Sequence, residues 1–506
     1  MDFNIYVVIA FVIYFIAMLG IGIFSFYRSK NMSDYFLGGR QLGSWVTAIS
    51  AQASDMSGWL LLGLPGAVLL GGLTESWIAI GLFIGTYLNW KIIASRLRKF
   101  TAASGDSITI PEYMQNRFLS KSPIVRIVCA VIIFVFFLLY TASAVSAGAK
   151  LFNFVFGIDY VKALFIGAVI IISYTFLGGF LAVCWTDLIQ GTLMFCALII
   201  VPAVCFFSTP DFSWEIFSNV LGTNSAGGAY YLDLLHNPDG TFAIKKIISG
   251  FAWGLGYFGM PHILVRFMAV KSSDMIKKSR IIACIWVLIT LTAAVLVGVF
   301  GYSYLNSPGN EAILAAFNTL GDSEKIFMFL SSKLLPSLLA GIILSAILAA
   351  IMSTADSQLL VTASAVTNDI FKLIGKNASE KTLMWVSRMT VVIVAIIAFI
   401  LAIDPNSSVM GLVSYAWAGL GSAFGPTIIL SLFWKRMTMS GAVAGMISGG
   451  VMVVLWTNLW EASTGIYSLL QAFIVAFVMI IIVSLLSKKP PVGVEEIFIK
   501  ASETNI

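Results

Sequence analysis

Long apolar stretches alternate with short polar connections along the whole chain of 506 residues. Because about 20 apolar residues in a helix cross the hydrocarbon core of a bilayer, this pattern predicts about thirteen transmembrane helices. They lie near residues 6–27, 45–70, 75–96, 124–150, 161–181, 187–207, 243–265, 280–305, 327–356, 383–403, 409–434, 440–459 and 464–487. We therefore predict an all-α polytopic membrane protein, with a single transmembrane domain over residues 1–506 and a short cytoplasmic tail over residues 488–506.

Lysine and arginine fall in every second connection between these stretches, as they do in cytoplasmic loops. The basic connections lie at residues 28–40, 96–126, 271–280, 372–381 and 435–436, and the tail adds Lys488 and Lys489. The intervening connections are short, neutral or acidic, and the longest, near residues 208–242, could carry a short lid helix. With an odd number of spans, the alternation predicts an external N-terminus and a cytoplasmic C-terminus.

The amino-acid composition narrows the class of protein further. Charged residues make up 11% of the chain, against about 25% in soluble proteins, and mean hydropathy is +0.96. The net charge of +6 is spread over short loops, which does not predict a nucleic-acid surface. Five cysteines without a CxxC pair predict neither a disulfide framework nor a metal cluster. No Ser-His-Asp, HExxH or P-loop pattern is present, so an enzyme is not expected, and no obligate protein partner is evident.

The second and seventh predicted spans are both interrupted by residues that weaken helices. The second contains Ser54–Gly58, followed by Gly63 and Pro65. The seventh contains Gly250, Gly254, Gly256 and Gly259, followed by Pro261. These spans stand five apart and therefore run in opposite directions, as an inverted repeat of five plus five spans requires. The predicted repeats cover residues 45–207 and 243–434, with extra helices flanking them. Alternatively, the glycines serve close helix packing alone.

Asp55 lies near the middle of the second predicted span. A carboxylate at that depth is unfavourable by about 3 kcal/mol, so it indicates a functional site. A helix interrupted at mid-membrane also exposes carbonyl and amide groups that bind ions and small polar solutes.

Ala350, Ser353 and Thr354 share one face of the ninth predicted span, because they stand at i, i+3 and i+4. Their carbonyl and two hydroxyls, facing the carbonyls of Ala53 and Met56, could complete an oxygen cage. Such neutral ligands suit a monovalent cation, whereas several carboxylates would suit calcium. The alternative is that both hydroxyls bond back to their own helical turn.

Aromatic and small residues near the two interruptions form a second constellation. Tyr140, Trp253 and Tyr257 could form the wall of a pocket in which Ser57 offers a hydroxyl and Gly58 a backbone donor. The N-terminal end of a half-helix favours a carboxylate, and an aromatic box favours an apolar ring or a cationic nitrogen. Together these groups describe a site for a small zwitterion. The alternative for each aromatic residue is packing or an interface belt.

Two further acidic residues lie close to predicted spans. Asp187 begins the sixth predicted span, where it could hold a cation near the inner mouth or simply cap the helix. Asp356 follows Thr354 by two residues, and the sequence leaves open whether it faces a cavity or the cytoplasm.

Several longer motifs resemble the sodium:solute symporter family from about the first to the thirteenth predicted span. The motifs are Ala53–Ala67, Glu75–Gly81, Trp253–Gly259, Ser345–Thr354 and Gly411–Gly419. Some of them separate the chain from the sugar, sialate and pantothenate branches. The resemblance implies the five-plus-five inverted repeat of the LeuT type, a bacterial plasma membrane, and uptake of L-proline with co-transported sodium ions.

The resemblance also implies roles for individual residues. It implies sodium ligands at Ala53, Met56, Ala350, Ser353 and Thr354. It implies a proline pocket at Ser57, Gly58, Tyr140, Trp253, Tyr257 and Pro261. Asp55 would couple sodium to the site, and Asp187 would be a further polar position on the inner route. Met260, where a polar residue is expected, and the additional carboxylate of Asp356 depart from the pattern.

Two other functions remain as alternatives. One is symport of a different small zwitterionic or carboxylate solute. The other is a channel or membrane sensor on the same fold, which the lack of a predicted signalling domain disfavours.

Overall fold

The computed structural model describes residues 5–26, 36–177, 179–208, 230–375 and 378–503, and these are almost entirely helical. The principal helices are α1 (Ile5–Phe26), α2 (Ser44–Asp55), α3 (Leu64–Gly71), α4 (Trp77–Leu88), α5 (Ser95–Ala103), α6 (Ile110–Arg117), α7 (Ile124–Phe156), α8 (Tyr160–Leu177), α9 (Phe180–Phe207), α10 (Ile244–Trp253), α11 (Pro261–Ala269), α12 (Met275–Asn306), α13 (Glu311–Asn318), α14 (Ile326–Leu334), α15 (Ser337–Ser364), α16 (Glu380–Leu401), α17 (Val409–Phe433), α18 (Met439–Leu459), α19 (Ser468–Leu486) and α20 (Val492–Glu503). No strand occurs within these described ranges, which contain only two isolated bridges, Leu42 with Val270 and His236 with Phe242.

The prediction of an all-α membrane protein is confirmed. Ten helical segments of the described chain are long and apolar enough to cross a membrane. Two predicted boundaries are wrong. The sixth predicted span begins at Phe180 and not at residue 187. The ninth predicted span is two helices, because Leu335 is extended ahead of Pro336 and α15 starts only at Ser337.

Both predicted interruptions break their helices. Helix α2 ends at Asp55, and Met56 leaves helical geometry with ψ 77° before the chain continues through a π turn into α3. In the seventh span, α10 passes into a tighter turn over Gly254–Gly259, and α11 starts at Pro261. The glycines also serve close packing, because a Cβ on Gly254 would lie 2.3 Å from the carbonyl oxygen of Gly81. These glycines therefore both interrupt the helix and allow close packing.

Helices α15 and α17 form the centre of the molecule. In their most apolar 18-residue windows, 83% and 89% of the residues are buried, compared with 33% for α1. Helices α2 and α11, each on one side of a break, pack against α15 and against each other. The centre of the protein therefore brings both breaks next to the helix that carries Ser353 and Thr354.

The C-terminal tail adds a docked helix, α20. Its Phe498 ring contacts the Phe100 ring edge-on at 5.4 Å, and the buried guanidinium of Arg117 donates to the Val494 carbonyl at 3.2 Å. The tail thus folds against the helical core. Residues 209–229 of the long connection lie outside the described residues, so the lid helix stays a prediction.

Candidate ion and solute site

Three of the predicted sodium ligands lie together in the buried centre. The Ser353 hydroxyl is 2.8 Å from the carbonyl oxygen of Ala53 and 3.2 Å from that of Ala350. The contact with Ala350 is a hydrogen bond from Ser353 back to its own helical turn, as the alternative interpretation predicts. The contact with Ala53 joins α15 to the end of α2, which that alternative does not explain.

Thr354 and Met56 complete the predicted set. The Thr354 hydroxyl is buried and has no hydrogen-bond partner within the described chain. Leaving such a group unsatisfied costs about 1–3 kcal/mol, so an ion ligand is a fitting role for it. The Met56 amide still donates to Gln52 at 2.8 Å, but the turn at ψ 77° takes its carbonyl off the helical ladder. These oxygens have the neutral, hard character that a monovalent cation requires.

Asp55 connects the two broken helices. Its Oδ2 accepts a hydrogen bond of 2.5 Å from the Tyr257 hydroxyl. Its backbone carbonyl accepts from Trp59 Nε1 at 3.1 Å and from the Tyr140 hydroxyl at 3.5 Å. Oδ1 is buried without a hydrogen-bond partner among the described residues. The two tyrosines that were predicted to form part of a pocket wall thus both donate their hydroxyls to Asp55.

Trp253 belongs to a larger aromatic cluster. Its ring stacks on Tyr467 at 5.0 Å and on Trp417 at 6.4 Å, and Trp59 lies tilted 6.4 Å away. Trp417 Nε1 donates to the Trp253 carbonyl at 2.9 Å. No role was predicted from the sequence for Trp59, Trp417 or Tyr467. The first two lie inside the quoted motifs, whereas nothing near Tyr467 marked it.

Ser57, Gly58 and Pro261 lie at the breaks themselves. Ser57 is buried, and its hydroxyl accepts from the Trp59 amide at 3.4 Å. A Cβ on Gly58 would come within 2.9 Å of the Ala147 Cβ, so the close approach of this break to α7 requires glycine. Pro261 is the first residue of α11, preceded by the extended and fully buried Met260. A proline suits this position because its missing N–H would be unpaired anyway.

Asp187 does not cap a helix, because α9 begins about two turns earlier, at Phe180. Its Oδ2 accepts from the hydroxyls of Ser50 at 2.6 Å and Ser54 at 3.0 Å. It also pairs with Arg266 at 3.2 Å, and both side chains are almost fully buried. Arg266, in α11, was not singled out from the sequence, where it stands one residue beyond the seventh predicted span, 243–265.

Asp356 is 1% exposed within α15, so it faces the protein interior and not the cytoplasm. Its Oδ1 lies 3.5 Å from the hydroxyl of Ser357. Ser357 in turn lies 2.9 Å from the Ser54 hydroxyl and accepts from Arg266 at 2.6 Å. One helical turn beyond Ser353, the protein thus holds a second polar layer with two carboxylates and one guanidinium.

Two broken helices that meet a buried, hydroxyl-bearing helix are typical of ion-coupled secondary transporters. The model of the Sodium:solute symporter family matches residues 35–449. The chain therefore belongs to this family of transporters and is not an enzyme.

Individual relatives are similar over almost their full lengths. The chain is 48% identical to the sodium/proline symporter of Haemophilus influenzae, covering 98% of this chain and 97% of that protein. It is 46% identical to the sodium/proline symporter of Escherichia coli, covering 97% and 95%. It is 44% identical to the high-affinity proline transporter PutP of Bacillus subtilis, covering 95% and 98%.

A solved structure of a Na+-coupled sialic acid symporter in a substrate-bound outward-open state shares the fold. It superposes with a TM-score of 0.77 at 20% sequence identity, covering 97% of this chain and 100% of that one. The predicted LeuT-type architecture is therefore confirmed.

Proposed function

We propose that this protein takes up L-proline together with sodium ions across a bacterial plasma membrane. The printed functions of its full-length relatives support the solute and the ion. The observation in the structure that carries the proposal is the contact of the Ser353 hydroxyl with the Ala53 carbonyl at 2.8 Å. It lies beside the Thr354 hydroxyl, which has no hydrogen-bond partner among the described residues. It supplies oxygen ligands from two helices at the point where one of them is broken.

In this proposal the sodium ion is coordinated where α2 meets α15. Its ligands are the carbonyls of Ala53, Met56 and Ala350 and the hydroxyls of Ser353 and Thr354. Sodium would pull the end of α2 towards α15 and so fix the conformation of the break. Because Asp55 stands at that end and accepts from Tyr257, the same event would set the position of the second broken helix.

The proposed proline pocket lies between the two breaks. Ser57 and Gly58 would bind the carboxylate near the start of the outer half-helix, where unpaired amides and the helix dipole favour negative charge. Trp253 and the rings of Tyr140 and Tyr257 would pack on the pyrrolidine ring. Pro261 would fix the opposite edge of the pocket. Asp187, paired with Arg266, would shape the polar route towards the cytoplasm.

Coupling to sodium gives the direction of transport. Proline is a zwitterion without net charge, so the membrane potential alone does not concentrate it. One sodium ion moving inward through 100 mV supplies about 2.3 kcal/mol, or roughly fiftyfold accumulation, before the sodium gradient is added. The proposed topology has an external N-terminus, a cytoplasmic C-terminus, and inverted repeats over residues 45–207 and 243–434.

Replacing Trp253 by Ala is expected to raise the KM for proline at least about tenfold, with much less effect on the sodium dependence. The reason is that a stacked aromatic surface would be lost from the pocket, and tenfold corresponds to about 1.4 kcal/mol. Uptake of labelled proline at saturating sodium measures the effect. Trp185→Ala, at a tryptophan that is 52% exposed, is the matched control. A normal KM in Trp253→Ala would remove this residue from the pocket.

Competition experiments test the identity of the solute. Unlabelled proline is expected to suppress uptake of labelled proline at low concentrations, while betaine, alanine, sialic acid and glucose at the same concentrations leave it unchanged. Stronger competition by one of the other solutes would favour the alternative of a different small zwitterion or carboxylate. Uptake that is equally fast after sodium is replaced by choline would contradict sodium coupling.

A further inference from the structure

A buried cluster of charged groups lies outside the proposed ion and solute site. Lys150, near the end of α7, is 2.6 Å from Glu324 and 2.8 Å from Asp322. The side chains of Lys150 and Glu324 are only 5% and 9% exposed. In the proposed topology, this end of α7 faces the outside. The ion pairs therefore connect α7 to the external connection between α12 and α15.

Glu324 also caps α17. Its carboxylate accepts from the Ser408 hydroxyl at 2.9 Å and from the amides of Val409 and Met410, both at 3.1 Å. The first amides of a helix lack intrahelical partners and lie at the positive end of its dipole, so a carboxylate is stabilised there. One side chain thus joins three separate parts of the protein.

The outer half-helix α3 rests directly on this cluster. A Cβ on Gly66 would lie 2.9 Å from backbone atoms of both Ser323 and Glu324. A Cβ on Gly63 would lie 3.1 Å from the Met410 Cβ. The Met410 amide is one of those that donate to Glu324. Because α3 continues the helix that is broken at Ser57 and Gly58, any outward movement of this half of the broken helix must separate these surfaces.

A cavity of about 540 Å³ lies beside this contact, lined among others by Ala67 of α3, Lys150, Glu324 and Asn406. Ser323 also lines this cavity, which therefore borders the contact of α3 with the Ser323–Glu324 backbone. Residues of the ion cluster and of the capped helix thus line the same cavity as α3.

We propose that Lys150, Asp322, Glu324 and Ser408 form an external clamp that holds α3 against the Ser323–Glu324 backbone and must loosen when the transporter opens to the outside. Lys150 and Glu324 are positioning residues in this proposal, since they act through α3 and do not bind the solute. The proposal rests on the proposed function only for the direction of opening. Its physical basis is that tightly packed surfaces switch between discrete arrangements and do not deform continuously.

Labelling of Ala67→Cys with a membrane-impermeant maleimide tests the clamp in intact cells. Lys150→Met is expected to increase the labelling rate at least fivefold, because α3 would separate more often from the Ser323–Glu324 backbone. Lys150→Arg, which keeps the charge, is expected to restore the slow rate. The protein with only its five native cysteines gives the background, and Lys162→Met, at an exposed lysine of α8, is the matched control.

Glu324→Gln and Ser408→Ala provide independent variants. Glu324→Gln is expected to speed labelling as much as Lys150→Met, and Ser408→Ala, which removes one bond, about twofold. Ser408→Ala decides the question if the two charge variants do not fold. Unchanged labelling rates in the folded variants would overturn the clamp. Since labelling requires no transport, this result is readable even if the solute is not proline.

Discussion

Replacing Asp55 by Asn is expected to raise the sodium concentration needed for half-maximal uptake roughly a hundredfold, or to abolish uptake. Asp55 is completely buried at the end of α2, two residues after the proposed ligand Ala53. Opposite unit charges about 6 Å apart attract by about 3 kcal/mol at an effective dielectric constant of about 20, which corresponds to that factor. Initial rates of proline uptake against sodium concentration measure the change.

Tyr257→Phe is the matched control for Asp55→Asn. It removes the hydroxyl that donates to Asp55 Oδ2 but leaves the carboxylate and its charge. If charge is the main effect, Tyr257→Phe should shift the sodium dependence far less than Asp55→Asn. Normal sodium dependence in Asp55→Asn would remove this residue from the coupling mechanism.

Ser353→Ala and Thr354→Ala are each expected to weaken the apparent affinity for sodium at least about tenfold, and the affinity for proline at saturating sodium much less. Each change removes one oxygen from the proposed cage, and a lost interaction with a charged group is worth about 1.5–3 kcal/mol. Thr354→Ser keeps the hydroxyl and is expected to retain most of the affinity, whereas Thr354→Val keeps only the shape. Sodium titrations of uptake at fixed proline distinguish these variants.

Ser345→Ala is the control within the same helix. The Ser345 hydroxyl donates to the Gly341 carbonyl of its own turn at 2.9 Å, so its loss should leave sodium affinity unchanged. A loss of proline affinity before sodium affinity in Ser353→Ala or Thr354→Ala would contradict the cage assignment.

Features that depend on local spacing could be predicted from the sequence. The breaks at Ser54–Gly58 and near Gly254 follow from runs of small residues within apolar spans, and the structure contains both. The shared face of Ala350 and Ser353 follows from helical periodicity. The contact of Ser353 with Ala53 then required only that the two helices meet. Most of the predicted site therefore rests on short-range patterns.

Pairings between distant parts of the chain could not be predicted in the same way. Arg266 and Asp187 are 79 residues apart, and Lys150 and Glu324 are 174 apart. Each of these charges looks like a loop or helix-end residue when considered singly. Only the packing of α7, α9 and α11 around α15 and α17 shows that they are buried and paired. The start of α15 was misplaced for a simpler reason, because an apolar count does not register the stop at Pro336.

Uptake of labelled proline into proteoliposomes that contain only this protein tests the central claim most directly. Proline is expected to accumulate inside above its external concentration when sodium is higher outside. A negative interior potential should increase the accumulation, and a sodium ionophore should abolish it. Accumulation of the same size with potassium in place of sodium, or none under an inward sodium gradient, would contradict sodium-coupled proline transport.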